Sequence, residues 1–129
     1  MILTVTPNPS LDRTYEIPAL DRGAVLRATA DRIDPGGKGV ASRAVAAAGH
    51  RTLAVLPLGR PAGAALAGLL GAEGIEVAGV PVAGRTRSNI AVAEPDGTLT
   101  KINATGPELT TEESEALLAT VGERSAGAG

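Results

Sequence analysis

The chain has 129 residues and a formal net charge of −2, which bounds it to one domain with a modest core. Ala supplies 24 residues, Gly 17, and Tyr15 is the lone aromatic, so small aliphatics must build the core. A nucleic-acid surface, which needs a basic stripe or aromatic platforms, is excluded, and with no Cys and His50 as the single His so are disulfides, thiolate metal sites and multi-His zinc sites.

In chain order, Met1 to Thr6 is a β-prone run stopped by Pro7-Asn8-Pro9, and it predicts a buried first strand. The same prolines end the run far short of a signal-peptide core. The longest apolar stretch, Leu53 to Leu58, is interrupted by Pro57 and is too short to cross a bilayer. The expected location is the cytoplasm, with no membrane partner. Arg13 to Ile17 and Leu26 to Ile33 predict a strand pair split by a turn at Asp21-Arg22-Gly23; in the second, Leu26, Ala28 and Ala30 alternate with Arg27, Thr29 and Asp31. Pro35-Gly36-Gly37 predicts a break, followed by an Ala-rich helix through Ala48 with Gly49 as its stop. Thr52 to Leu58 reads as a strand. A second helix starts near Pro61, carries Leu66, Leu69 and Leu70 on its apolar face, and ends at Gly74. Ile75 to Val82 reads as a strand. Ser88 to Ala93 and Thr98 to Ile102 flank Glu94-Pro95-Asp96-Gly97, a hairpin signature. Thr110 and Glu113 form a capping box for a last helix with Leu117, Leu118 and Val121 on one face. Strands alternating with helices predict a parallel α/β sheet. The two strand pairs that break the alternation predict a side sheet. Residues 125–129, Ser-Ala-Gly-Ala-Gly, have nothing to bury and are expected to be a flexible tail, placed where an α/β domain would begin its next strand.

Several residues have the chemistry of a site. Asp34-Pro35-Gly36-Gly37-Lys38-Gly39 combines paired glycines, which admit a close neighbour to the backbone, with the start of a helix and the charge of Lys38. That suits an anionic or polyhydroxyl ligand, and equally a plain loop-to-helix turn. The spacing is not that of a Walker loop, because no Ser or Thr follows Lys38. The Asp12 carboxylate suits a pair of sugar hydroxyls or an Asx turn. Arg85 and Arg87 suit a phosphate fork or a solvated pair of strand-end charges. His50, just past Gly49, reads as an ordinary cation at a helix C-terminus. The sequon at Asn103-Ala104-Thr105 carries no weight without a secretion signal.

Taken together, Thr6-Pro7-Asn8-Pro9-Ser10-Leu11-Asp12, Asp34-Pro35-Gly36-Gly37-Lys38-Gly39, Gly84-Arg85-Thr86-Arg87-Ser88-Asn89 and Asp96-Gly97-Thr98-Leu99-Thr100 resemble, in order and spacing, the ribokinase-like (PfkB) sugar kinases. Within that family the pattern is most similar to the bacterial 1-phosphofructokinase branch, with tagatose-6-phosphate kinases as near relatives. The resemblance runs from Met1 to about Glu123 and covers the N-terminal part of a family member. It implies a ribokinase-like three-layer α/β fold with a small β-lid. Residues 1–124 would be an incomplete N-terminal core with lid segments at about 12–33 and 88–103. Asp12 would hold sugar hydroxyls, Gly36 and Gly37 would line the sugar, Lys38 would stand beside them, and Arg87 would grip the substrate phosphate. Arg27 would lie on a lid strand. The lid would close over the substrate and pair with a second subunit. The implied reaction is ATP-dependent conversion of fructose 1-phosphate to fructose 1,6-bisphosphate with Mg²⁺. Other readings are a tagatose 6-phosphate substrate, or a non-catalytic remnant that binds a sugar phosphate or dimerises through the lid.

The sequence departs from the family in two places. After Gly39 the family has an aliphatic residue and then a substrate-contacting Asn, whereas here Val40-Ala41-Ser42-Arg43 comes next, one residue short and without the Asn. A deletion inside a helix rotates all later side chains about the axis by roughly 100°. The family's catalytic Asp, in a Gly-Ala-Gly-Asp segment beside the nucleotide site, has no counterpart here; Gly127-Ala128-Gly129 has no Asp after it. No catalytic, nucleotide-binding or metal-binding residue is therefore expected in this chain, neither ATP nor Mg²⁺ is expected to bind it well, and the isolated chain is expected to be inactive.

Overall fold

The segment Thr52-Leu53-Ala54-Val55-Leu56 is apolar on both faces, and a strand of that pattern has to be covered twice. The computed structural model, which describes residues 1–37 and 41–126, shows how. Its elements are β1 (Ile2–Val5), β2 (Ser10–Glu16), β3 (Ala30–Gly36), α1 (Ser42–Ala47), β4 (Thr52–Leu58), α2 (Ala62–Ala72), β5 (Glu76–Pro81), β6 (Arg87–Ala93), β7 (Leu99–Ile102) and α3 (Thr111–Ala126). β4 is the centre of a parallel sheet of order β1-β4-β5. On one face Ala54 and Leu56 pack with Leu66, Leu70 and Ile75 from the α2 side, and Ala46 of α1 adjoins them. On the other, Leu53, Val55, Ala78 and Val80 pack against Leu117 of α3. The result is the expected three-layer α/β arrangement.

A second sheet of order β3-β2-β6-β7 stands beside the first. Its two antiparallel pairs are joined through parallel β2 and β6. Leu11 of β2 is 2% exposed and inserts into the α2-side cluster, so the base of this sheet is fixed to the core.

Local signals set most boundaries. Gly49 and Gly74 have φ of +85° and +75°. Each closes a helix with a paired bond: Gly49 and His50 N–H donate to Ala46 and Val45, and Gly74 and Ile75 N–H donate to Gly71 and Leu70. Thr110 Oγ1 accepts from Glu113 N–H at 3.0 Å, and Glu113 Oε1 accepts from Thr110 N–H at 2.9 Å, which is the capping box in full. Glu94 N–H donates to Thr98 O, and Asp96 Oδ1 accepts from Thr98 N–H, closing the β6–β7 hairpin.

Several expectations are corrected. β1 is an edge strand rather than a buried one, with Ile2 48% and Val5 37% exposed, because it pairs on one side with β4. Leu26 to Thr29 is loop: β2 ends at Glu16, just before Ile17-Pro18, so ladder pairing begins only at Ala30, with Thr29 N–H bonded to Glu16 O at 2.8 Å as the chain enters it. Arg27 therefore lies in a loop and not on a lid strand. Pro35 and Gly36 do not break the chain but finish β3, which tolerates Pro because it is an edge strand. Leu118 is 70% exposed; Leu117 and Val121 face the sheet, and Leu118 sits a further 100° round the helix. Ser125 and Ala126 belong to α3 rather than to a tail. Among the described residues no helix is long and apolar enough to cross a membrane.

Candidate functional site

Alternation along β2 puts Ser10, Asp12 and Thr14 on one face. The register then lays Asp34 of β3 and Asn89 of β6 on either side of Asp12. The next row is Arg32, Thr14 and Ala91, with Lys101 of β7 opposite Ala91. This polar face looks across an open cleft of about 900 Å³, which Asn8, Gly37, Arg43 and Arg87 also line.

Asp12 is half-buried at the centre of this face. Its Oδ1 accepts from Ser10 Oγ at 2.7 Å and from Asn89 Nδ2 at 3.3 Å. Two donors on one oxygen leave Oδ2, which lies against Gly36, without a hydrogen-bond donor among the described residues. Gly36 is required here, since a Cβ at that position would overlap the Asp12 carboxylate. Gly37 has φ of +106°, and its absent Cβ makes room for the Asn8 carbonyl oxygen, 2.9 Å from that position. The paired glycines thus admit the protein's own carboxylate and backbone.

Arg87 opens β6 and reaches two loops at once. Its Nη1 donates to Ala104 O at 2.9 Å and its Nη2 to Asn8 O at 3.1 Å, while Nε is buried with no partner among the described residues. Asn8 Nδ2 donates in turn to Thr105 O at 2.9 Å. Each Nη group carries two hydrogens, so the guanidinium keeps N–H capacity beyond these two struts. Arg43, at the start of α1, grips Glu73 at the end of α2 with Nε and Nη2, at 2.8–3.1 Å, and donates from Nη1 to Pro35 O at 3.3 Å. The Glu73 carboxylate holds the guanidinium pKa above its ordinary value. Arg32 pairs with Asp34 at 3.1 Å. Among the described residues Lys101 makes no ion pair. Among the described residues, four cations and two carboxylates on one cleft favour an anion that also carries hydroxyls.

Of the residues named from sequence, Asp12, Gly37 and Arg87 line this cleft, and Gly36 lies against Asp12. Lys38, with Gly39 and Val40, lies outside the described residues. Arg27 and Arg85 are exposed and do not line the cleft, and His50 is exposed beyond α1. The described part of α1 runs from Ser42 to Ala47, and the expected helix N-terminus behind Gly37 falls on residues 38–40, outside the described residues. Ser42 is buried and bonds Thr4 at 2.6 Å and Thr52 at 2.7 Å, which fixes its side inward and leaves Arg43 toward the cleft. Ser10, Asn89, Asn8 and Arg43 were missed by sequence reasoning. Alternation from Asp12 would have found Ser10; Asn89 needed the β2–β6 register. Among the described residues no three His, Cys, Asp or Glu side chains gather into a group that could hold a metal ion.

The family described as pfkB family carbohydrate kinase matches residues 6–126. The ATP-dependent 6-phosphofructokinase isozyme 2 of Mycobacterium tuberculosis is 34% identical over 119 residues, 91% of this chain and 35% of that protein. The 1-phosphofructokinase of Rhodobacter capsulatus is 33% identical over 124 residues, 95% of this chain and 39% of that protein. The crystal structure of phosphofructokinase-2 from Escherichia coli in complex with fructose-6-phosphate superposes with a TM-score of 0.89 at 34% identity, covering 95% of this chain and 41% of that one. The chain thus spans between a third and about two-fifths of the length of these relatives.

Proposed function

The chain belongs to the pfkB family of carbohydrate kinases, and from that membership we propose that it is the substrate-binding and lid part of an ATP-dependent sugar-phosphate kinase of the 1-phosphofructokinase type. The observation that carries this reading is the placement of an oriented carboxylate, Asp12, and a partly free guanidinium, Arg87, on one cleft. The Asp12 carboxylate accepts from a sugar hydroxyl, and Arg87 holds the phosphate of fructose 1-phosphate. The second sheet, roofing the cleft, shields the acceptor hydroxyl from water. In a complete kinase of this family, ATP with Mg²⁺ would supply the γ-phosphoryl group and leave as ADP, and the proton of the acceptor hydroxyl would pass to a base. The base implied by the family resemblance is the Asp of a Gly-Ala-Gly-Asp segment, which this sequence does not contain, so the isolated chain is proposed to bind without turnover. The proposed location of the reaction is the cytoplasm, where a charged sugar phosphate, which does not cross a bilayer unaided, would be retained.

A second reading takes fructose 6-phosphate as the acceptor. It is favoured by the Mycobacterium tuberculosis relative and the Escherichia coli structure, and the sequence motifs alone did not suggest it. Pairing through the lid is proposed from the opposite face of the second sheet. There Ile33, Arg13 and Ile90 share a row and Ile102 lies beside Ile90; the three isoleucines are 39%, 36% and 63% exposed. A second copy of the chain would cover them.

Calorimetric titration of the chain with fructose 1-phosphate, fructose 6-phosphate, tagatose 6-phosphate and inorganic phosphate tests the reading. Fructose 1-phosphate is expected to bind tightest. Binding of no sugar phosphate above the level of inorganic phosphate would overturn it, and a preference for fructose 6-phosphate would select the second reading. A coupled assay is expected to detect no sugar-dependent ADP release from the chain alone.

A further inference from the structure

The proposed site contains a residue whose work is to aim the others. Asn89 sits directly opposite Asp12 in the β2–β6 register. Its Nδ2 donates to Asp12 Oδ1 at 3.3 Å, and its Oδ1 accepts from Ala104 N–H at 3.0 Å. Reversing the amide would set oxygen against carboxylate and NH₂ against N–H, so the two contacts fix its orientation. Ala104 is held on both sides of its Cα, its N–H by Asn89 and its carbonyl by Arg87 Nη1. Arg87 Nη2 holds Asn8 O, and Asn8 Nδ2 holds Thr105 O, the next carbonyl along. Asp12, Asn89, Ala104, Arg87 and Asn8 therefore form one hydrogen-bonded chain across the mouth of the cleft.

We infer that Asn89 is a positioning residue that fixes the Asp12 carboxylate for the sugar hydroxyl and couples it, through Ala104, to the cation that holds the phosphate. This rests on the function proposed above. An anion drawing on Arg87 pulls the carbonyl of Ala104, and the displacement reaches Asp12 through one amide. A carboxylate at position 89 would accept from Ala104 N–H equally well, but it would oppose Asp12 with like charge. A Gln would overshoot by one methylene.

The experiment uses the 129-residue chain with fructose 1-phosphate and, separately, inorganic phosphate as probes. Asn89→Asp is expected to weaken fructose 1-phosphate binding by about tenfold or more, the scale of a lost hydrogen bond to a charged group. Its affinity for inorganic phosphate, which does not use Asp12, should change little. Asn89→Ala should lose sugar phosphate affinity to a similar or smaller extent. If Asn89 served only to anchor the loop at Ala104, Asn89→Asp would bind fructose 1-phosphate like the unmodified chain while Asn89→Ala would lose both ligands, and that ordering would overturn the inference. If the unmodified chain bound neither probe, the proposed function would fail on its own, and the Asp12 carboxyl ¹³C resonance would still decide the contact. It should move in both variants; an unmoved resonance in a folded Asn89→Ala chain would overturn the positioning role.

Discussion

Replacing Arg87 by Ala removes the cation proposed to hold the substrate phosphate, and two internal struts with it. The phosphate contact is charge-assisted, which is worth about 1.5–3 kcal/mol. At 1.36 kcal/mol per tenfold this is about 10- to 150-fold in affinity. The struts to Ala104 O and Asn8 O, at 2.9 and 3.1 Å, also go, so the full effect lies toward the upper end. Arg87→Lys keeps the charge but gives up the planar fork that spans both carbonyls, and it should fall between. Arg85→Ala is the control, because Arg85 is exposed before β6 begins and does not line the cleft. The assay is a titration of each variant with fructose 1-phosphate and with inorganic phosphate, each variant's fold being checked by circular dichroism. Arg87→Ala should weaken both ligands by a similar factor, since both present the same group to it. Equal losses for Arg85→Ala and Arg87→Ala, or full affinity for inorganic phosphate in Arg87→Ala, would refute the reasoning.

Other parts of the chain give three further expected outcomes. Gly36→Ala pushes a methyl group into the Asp12 carboxylate; it should cost about 1–3 kcal/mol of stability and lower fructose 1-phosphate affinity, read by thermal unfolding and titration. Glu113 accepts from Thr110 and Ala83 N–H, which holds its carboxyl below the ordinary range; its stabilisation is complete above that range and is lost as pH falls through the lower folded value. Glu113→Gln keeps the capping box without titrating, so its acid unfolding should show a weaker pH dependence than that of the unmodified chain. Ile2 on the open edge of β1 is 48% exposed; Ile2→Lys should slow concentration-dependent aggregation measured by light scattering, and an unchanged rate would place the sticky surface elsewhere.

The sequence was legible where a signal is local. The capping box at Thr110 and Glu113, the closing glycines at 49 and 74 and the hairpin at 94–98 each depend on residues a few positions apart, and each is present. Periodicity misled where the partner ran out: Leu26 to Thr29 alternates as a strand should, yet β2 ends at Glu16, which already pairs with Ala30 and bonds Thr29 N–H. It misled in the opposite sense at Pro35-Gly36, which reads as a break but is allowed on an edge strand. Asp12 and Arg87 stood out because a lone carboxylate after a strand and an Arg before one are visible in a motif. Asn89 did not, since its meaning comes from a partner 77 residues away brought alongside by parallel pairing of β2 and β6. Arg43 is a similar case: its partner Glu73 lies 30 residues on, at the far end of another helix.

The central claim is that one cleft, between Asp12 and Arg87, holds a sugar phosphate by both its hydroxyl and its phosphate ends. An amide-resolved titration of the chain with fructose 1-phosphate, monitored by ¹H–¹⁵N NMR, tests it most directly. The largest shifts are expected on Asp12, Arg87, Asn89 and Ala104, with α3 and β5 unmoved. Shifts of the Arg87 loop alone, the same as those produced by inorganic phosphate, or shifts centred away from this cleft, would contradict it.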